Sequence, residues 1–397
     1  EKIRGIYSAI PETVQQQPMI VPQHIFTITE EETAWLREAR ETDEQRKPLE
    51  EVINILTAIL RGAKDARTFG DFVVIMVKLT GNVILAGEMV HALKMIRFLH
   101  ELAASESVPP EQRRMISTAM SKILNERTVK VLQKTIDTTD ALSFEDLREL
   151  LRVFGAASLG PMCELLGLVE KMKMRRIILE VLVEIGKENP DAFTPYLSDQ
   201  RWYLVRNMVF VLTRLGRPVP LDSVVRLIGH REPRVRREVL TFLDHYPDPK
   251  AKTYLLKFLR DDSSAVRIRA LQALGRSKLP MALKQIAAIT EAEDFDELSL
   301  AEKKAVYEAL GELGGEQSVP MLRNLLLKKF WFKKSKERDS VTCAVAGLVK
   351  TRTASAMAVL EEAQGAVKGD ELRQLVAEGL ETLTAERSKA AAEKRSR

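Results

Sequence analysis

Apolar residues recur at three- and four-residue spacing along nearly all of the chain from Leu49 onward. Examples are Val52, Ile53, Ile55, Leu56, Ile59 and Leu60, and then Phe72, Val73, Met76, Val77 and Leu79. Such spacing puts them on one stripe of an α-helix. Alternating runs joined by Asn-Gly or Asp-Gly do not occur, so the pattern predicts an all-α chain. Residues 84–104 read as one long amphipathic helix, and Pro109-Pro110 separates it from the next. The first fifty residues differ. Pro11, Pro18, Pro22 and the Gln15–Gln17 run break any helix in the first two dozen positions. Residues 19–28 (MIVPQHIFTI) read as an extended apolar arm that docks on another surface. Thr29 and the acids after it read as a helix start, opening a helix to about Arg40, and Pro48 reads as the first residue of the next.

A repeat overlies this helical pattern. An apolar residue followed by Gly occurs at Phe154-Gly155, Ile185-Gly186, Leu215-Gly216, Leu274-Gly275 and Leu313-Gly314. The first three are 31 and 30 apart, and the fourth falls 59 later, two periods on, with His245-Tyr246-Pro247 at the skipped stop. Val-Arg recurs at Val205-Arg206, Val235-Arg236 and Val266-Arg267, again 30 and 31 apart. Glycine suits a helix end because it tolerates the left-handed backbone there. Each unit reads as a Val-Arg helix, a stop, and a second helix such as 221–228, 251–260 or 319–328. A two-helix period near 30 predicts stacked repeats, an α-solenoid.

The segments DQRWYLVRNMVFVLTRLG (199–216), HREPRVRREVLTFL (230–243) and DDSSAVRIRALQALG (261–275) resemble the HEAT-repeat family, in particular its short bacterial form. The resemblance covers roughly 143–383, departing at the acidic stretch 291–297 and at the lengthened 328–340. It implies a right-handed α-solenoid of six to eight helical pairs and says almost nothing about activity. The expected organisation is 1–48 as arm and first helix, 49–142 as N-terminal helical stacking units, 143–386 as the HEAT-like solenoid and 387–397 as a basic tail.

Charge changes the picture little. The net charge of +5 comes from two patches, 328–340 and 387–397, each of net +4, which leaves −3 elsewhere. Uniform nucleic-acid affinity is therefore not implied. Cys163 and Cys343 sit 180 positions apart in apolar helical patterns, as small core residues of a reducing cytoplasm. No run of 18 apolar residues occurs, so no transmembrane segment is expected, although peripheral membrane contact stays open. No phosphate-binding glycine motif, HExxH or paired-carboxylate spacing is present, so neither an enzyme nor a cofactor is expected.

The candidate chemistry is basic and aromatic. Arg206, Arg236 and Arg267 should form a ladder, each pairing with an acid near its own turn: Asp199, Glu232, and Asp261 or Asp262. Arg231, Arg234, Arg236, Arg237, Arg267 and Arg269 form one dense cluster, of which Arg234, Arg237 and Arg269 exceed what a ladder needs and could bind an acidic ligand. Trp202 and Tyr203 read as filling between repeats. The three tryptophans (Trp35, Trp202, Trp331) are too scattered for an aromatic base-binding groove. Phe330, Trp331 and Phe332 lie among Lys333 and Lys334, and three consecutive aromatics cannot all face one helix core. They are either partner anchors or a tucked loop. The expectation is a non-enzymatic scaffold that binds a protein partner through Arg234, Arg237, Arg269, Phe330, Trp331, Phe332, Lys333 and Lys334. The alternative is nucleic-acid binding through the basic patches. A bilin lyase has only fold analogy behind it.

Overall fold

The structure is a computed structural model and describes residues 29–45, 48–139, 142–216, 219, 221–328 and 334–395. Among these there are nineteen α-helices, several 3₁₀ segments and no strand. The chain divides into two compact units, Glu1–Phe72 and Val73–Arg397.

The first unit holds α1 (Glu30–Gln45), α2 (Pro48–Gly62) and the opening of α3 (Ala66–Leu85). Thr29 and Glu32 cap α1 reciprocally. The Thr29 hydroxyl accepts from the Glu32 amide at 3.1 Å, and the Glu32 carboxylate accepts from the Thr29 amide at 2.8 Å. Pro48 opens α2, whose Ile53, Leu56 and Leu60 are buried.

The second unit continues α3, then runs through α4 (Met89–Ala104), α5 (Pro110–Met120), α6 (Glu126–Thr138), α7 (Phe144–Phe154), α8 (Leu159–Leu168) and α9 (Met172–Ile185). From residue 190 a short element alternates with a longer helix. The 3₁₀ segment Pro190–Ser198 precedes α10 (Trp202–Arg214), and α11 (Leu221–Val225) with the 3₁₀ turn Arg226–Gly229 precedes α12 (Pro233–His245). The 3₁₀ segment Pro249–Arg260 precedes α13 (Ser264–Arg276), and α14 (Pro280–Thr290) precedes α15 (Leu300–Gly314). Finally α16 (Val319–Leu326) precedes α17 (Lys334–Thr351), and α18 (Ala354–Ala366) precedes α19 (Asp370–Arg395). The long helices pack in order, α10 on α12, α12 on α13, α13 on α15, α15 on α17 and α17 on α19. Each short element lies against its own long helix. This is an α-solenoid of helical pairs, with a core drawn from both layers, for example Leu204, Val205 and Met208 against Phe193 and Leu197.

Several local expectations change. Residues 84–104 are not one helix. The Gly87 amide bonds to the Ile84 carbonyl and the Glu88 amide to the Val83 carbonyl, with Gly87 at φ +83°. That pattern closes α3 in a Schellman turn before α4 begins. The expected second helix at 251–260 is a 3₁₀ segment, Pro249–Arg260, and 221–228 is α-helical only as far as Val225. A 3₁₀ run rises about 2.0 Å per residue against 1.5 Å for an α-helix, so the nine residues 190–198 span about 18 Å and cover the roughly 20 Å of α10. Of the five marker glycines, only Gly155 and Gly216 have positive φ. Gly186 and Gly314 are held to glycine by space, since a Cβ at Gly186 would meet the Phe193 ring at 2.5 Å and one at Gly314 would meet the Ser318 side chain. A Cβ at Gly275 would displace only the movable Glu312 carboxylate, 3.0 Å away.

By length and composition α3 could cross a membrane. Its Val73, Met76, Val77, Thr80, Val83 and Ile84 are buried in the helical core.

Two long helices approach closely at Gly311 on α15 and Gly347 on α17. A Cβ at Gly311 would stand 2.0 Å from the Gly347 carbonyl oxygen, and one at Gly347 would stand 2.8 Å from the Tyr307 carbonyl oxygen. Backbone lies on both sides, so neither clash can be relieved by a rotamer change. Gly311→Ala and Gly347→Ala should each cost about 2–3 kcal/mol through overpacking, read by urea denaturation. A change within about 0.5 kcal/mol would show that these helices are free to slide apart.

Candidate binding face of arginines and aromatics

The Val-Arg ladder exists, but its partners lie in the following repeat and not in the arginine's own turn. Arg236 on α12 donates two bonds of 2.6 Å to the Asp261 carboxylate ahead of α13, and donates to the His230 carbonyl at 2.8 Å. Its side chain and that of Asp261 are only 9% and 5% exposed. Arg267 on α13 grips Glu302 on α15 with both ends of its fork and also donates to the Asp261 and Asp262 carbonyls. Burial alone would raise the Glu302 carboxyl. Hydrogen bonds from Arg267 and from the Ser264 hydroxyl outweigh it and hold the group below the ordinary range. The local pairing fails because an acid in the arginine's own turn caps its own helix: Glu232 accepts from the Arg234 amide. Meanwhile the arginine fork reaches outward to the neighbour.

Arg206 is the exception. Asp199 is taken by Arg201, through bonds of 2.9 and 2.8 Å. Arg206 donates only to the Asn207 side chain, at 2.9 Å, and its Nε is buried without a partner among the described residues. Burial pulls its affinity for protons below the usual value, and the charges of Arg175, Arg237 and Arg234 pull it further, against the opposing effect of Glu238. Glu238 on α12 is half-buried. Burial pushes its carboxyl above the ordinary range despite the surrounding Arg206, Arg237, Arg214 and Arg269.

The structure therefore brings Arg237 and Arg269 together around Glu238, with Arg206 linking them to Arg234. Arg234 is 63% exposed, and its guanidinium lies 5.1 Å from the Trp202 ring centre on α10. Arg175 on α9 lies 5.9 Å from the Tyr203 ring, and Arg214 lies 5.1 Å from Phe210. Trp202 and Tyr203 are half-buried and hold arginines from the neighbouring helices, a role beyond the filling expected of them. Arg206, Arg214, Arg237 and Arg269 act on Glu238, and Arg234 lies 3.7 Å from Glu232, so five arginines of α10, α12 and α13 meet two acids. The period carried the signal, since Trp202 and Arg234 stand one repeat apart. Phe330, Trp331, Phe332 and Lys333 lie outside the described residues, and only the backbone of Lys334 is described, at the start of α17. Cys163 and Cys343 are free and buried, and burial pushes both thiols up to about 12.

HEAT repeats match residues 190–275 and 253–335, the stretch that holds both rungs and every arginine of the group except Arg175. The chain carries HEAT repeats. Among curated proteins no significant sequence match is found. Solved structures similar in arrangement include Kap121p bound to Pho4p, at 12% identity and TM-score 0.35, covering 85% of this chain and 36% of that one. The chain thus spans about a third of the Kap121p length. Human deoxyhypusine hydroxylase in complex with glycerol matches at 17% identity and TM-score 0.26, covering 76% and 99% of the two chains. A circular tandem repeat protein matches at 14% identity and TM-score 0.24, covering 88% and 85%. Likeness at this level extends no activity or partner to this chain.

Within the HEAT repeats the two buried rungs should dominate the electrostatic part of stability. Asp261→Ala strands the Arg236 charge and should cost about 3–5 kcal/mol, whereas Arg236→Met with Asp261→Leu should lie much closer to wild type. Chemical denaturation of the two variants separates the cases, and equal losses would mean that packing, not charge pairing, sets the cost. Glu302 adds a pH signature. A carboxyl held below its ordinary value of about 4.3 stabilises the fold above that pH and stops doing so as the pH falls through the lower folded value. Glu302→Gln should therefore lower stability at pH 7 and flatten its decline below about pH 4.5. A decline as steep as that of wild type would assign the acid limb elsewhere.

Proposed function

We propose that the HEAT repeats act as a non-enzymatic scaffold that binds an acidic segment of a partner protein across α10, α12 and α13. The observation that carries this reading is the division of the arginines into two groups. Arg236 and Arg267 are consumed by Asp261 and Glu302. Arg234, Arg237 and Arg269 gather where only Glu232 and Glu238 offset them. Planar guanidinium forks suit carboxylates, and stacking on Trp202 keeps Arg234 oriented with less entropy left to lose on binding. Rigid helices then supply the spacing that selects one acidic segment over another.

The test is capture from nuclease-treated lysate of the source cells with wild type and with the triple variant R234E/R237E/R269E. A stoichiometric protein should survive nuclease with wild type and fall at least tenfold with the variant. Urea denaturation in parallel checks that the variant stays folded, since Arg237 and Arg269 offset the half-buried Glu238. Companions lost on nuclease treatment, with a steep salt dependence of the remainder, would instead assign the face to nucleic acid.

A further inference from the structure

A second site lies away from the arginine face. An open cleft of about 520 Å³ runs between the outer face of α3 and the end of α5 with the turn into α6. From α3 it is lined by Val74, Val77, Lys78, Gly81, Asn82 and Leu85, which is the i, i+3, i+4, i+7 stripe of a single helix face. Ile123, Lys122 and Arg127 form much of the opposite wall.

Three features give the cleft a direction. Its floor is apolar, and its rim is left uncovered: Val74 is 46% exposed and Leu85 43%. Its charges are of one sign. Lys78, Lys122 and Arg127 form no ion pair among the described residues, no acid lines the cleft, and adjacent Glu126, which also feels the Arg127 charge, is paired with Lys130 at 2.7 Å. The polar groups at its far end are already satisfied, since the Asn125 side chain caps α6 by accepting from the Arg127 and Thr128 amides. The third feature is Gly81. A mid-helix glycine weakens a helix relative to alanine, and here no neighbour requires it, because a Cβ would meet nothing within 4 Å. A bare backbone in the floor of a cleft is what close approach by a ligand needs.

We infer that this cleft receives an acidic amphipathic helix from a partner protein, with its apolar side chains on Val77, Gly81 and Leu85 and its carboxylates toward Lys78, Lys122 and Arg127. The span from Val74 to Leu85 is about 16 Å, three helical turns, which matches a short helix docked by i, i+3/i+4, i+7 anchors. A small amphiphile fits less well. Small-molecule sites enclose most of their ligand, and this rim is nearly half exposed.

The probe is a fluorescein-labelled 14-residue helical peptide of Leu, Ala and Glu, with leucines on one stripe and glutamates flanking them. Its binding to the full chain is read by anisotropy against a scramble of equal composition. The patterned peptide should bind at least tenfold tighter than the scramble. Gly81→Leu, which fills the floor from open space, should weaken it at least tenfold, and so should K78E/K122E, which leaves the floor intact. R234E/R237E/R269E should leave it unchanged, which separates this cleft from the arginine face. Equal binding of the scramble, indifference to both cleft variants, or binding of laurate or phosphatidylglycerol vesicles in place of the peptide would overturn the assignment.

Discussion

The bond that the HEAT repeats depend on is the buried fork of Arg236 on Asp261, repeated one step along as Arg267 on Glu302. A guanidinium taken from water must find a carboxylate of matching geometry or the fold loses several kcal/mol. Here the carboxylate belongs to the next repeat, so satisfying the charge fixes how adjacent helical pairs sit. Arg236 and Arg267 also bond the carbonyls of the loops ahead of their own helices. Each rung thus closes a loop and joins two repeats with one side chain. Elsewhere the same reach recurs on the surface: Arg148 to Glu180, Arg152 to Glu184, Arg276 to Asp244 and Arg352 to Glu386. Their arginines are about half exposed, so each contributes little alone. The buried rungs carry the constraint.

Once those rungs are made, Arg234, Arg237 and Arg269 are left without a buried ion pair among the described residues, whereas Arg276 at the end of α13 pairs with Asp244. Arg206 shows the transition between the two groups. It occupies the ladder position, lacks a ladder partner, and feels the charges of Arg234 and Arg237 on the outer face. Glu238, half-buried among four arginines, keeps that group from being wholly unscreened. On the proposed reading, packed helices would present these arginines to carboxylates with little rearrangement.

The periodic signals in the sequence were read correctly, and the pairings between periods were not legible. Val-Arg at intervals of 30 and 31 and the apolar-Gly stops predicted helical pairs and their order, which the layers of α10 to α19 show. The acid that takes each arginine could not be read, because it lies 25 residues on for Arg236 and 35 for Arg267, across a loop of variable length. Glycine misled in a specific way. Gly155 and Gly216 are glycines for their backbone angle, Gly186 and Gly314 for a neighbouring side chain, and the sequence pattern of the two kinds is the same. The contact of Gly311 with Gly347 spans two long helices and has no local mark at all. Of the candidate site, Arg237 and Arg269 both act on Glu238 and Arg234 lies against Trp202 and Glu232, while the aromatic run Phe330, Trp331 and Phe332 lies outside the described residues.

On the proposed reading two groups of arginine, adjacent in sequence, do different work: one joins repeats and the other would face a partner. Arginine footprinting with phenylglyoxal, read peptide by peptide by mass spectrometry with and without a decaglutamate probe, examines both halves at once. The account predicts that in the free protein Arg234 and Arg237 are modified rapidly while Arg236 and Arg267 are spared. It predicts further that the probe protects Arg234, Arg237 and Arg269 and leaves the rungs as they were. Modification of Arg236 as fast as that of Arg237, or an acidic probe that protects none of the three, would contradict it.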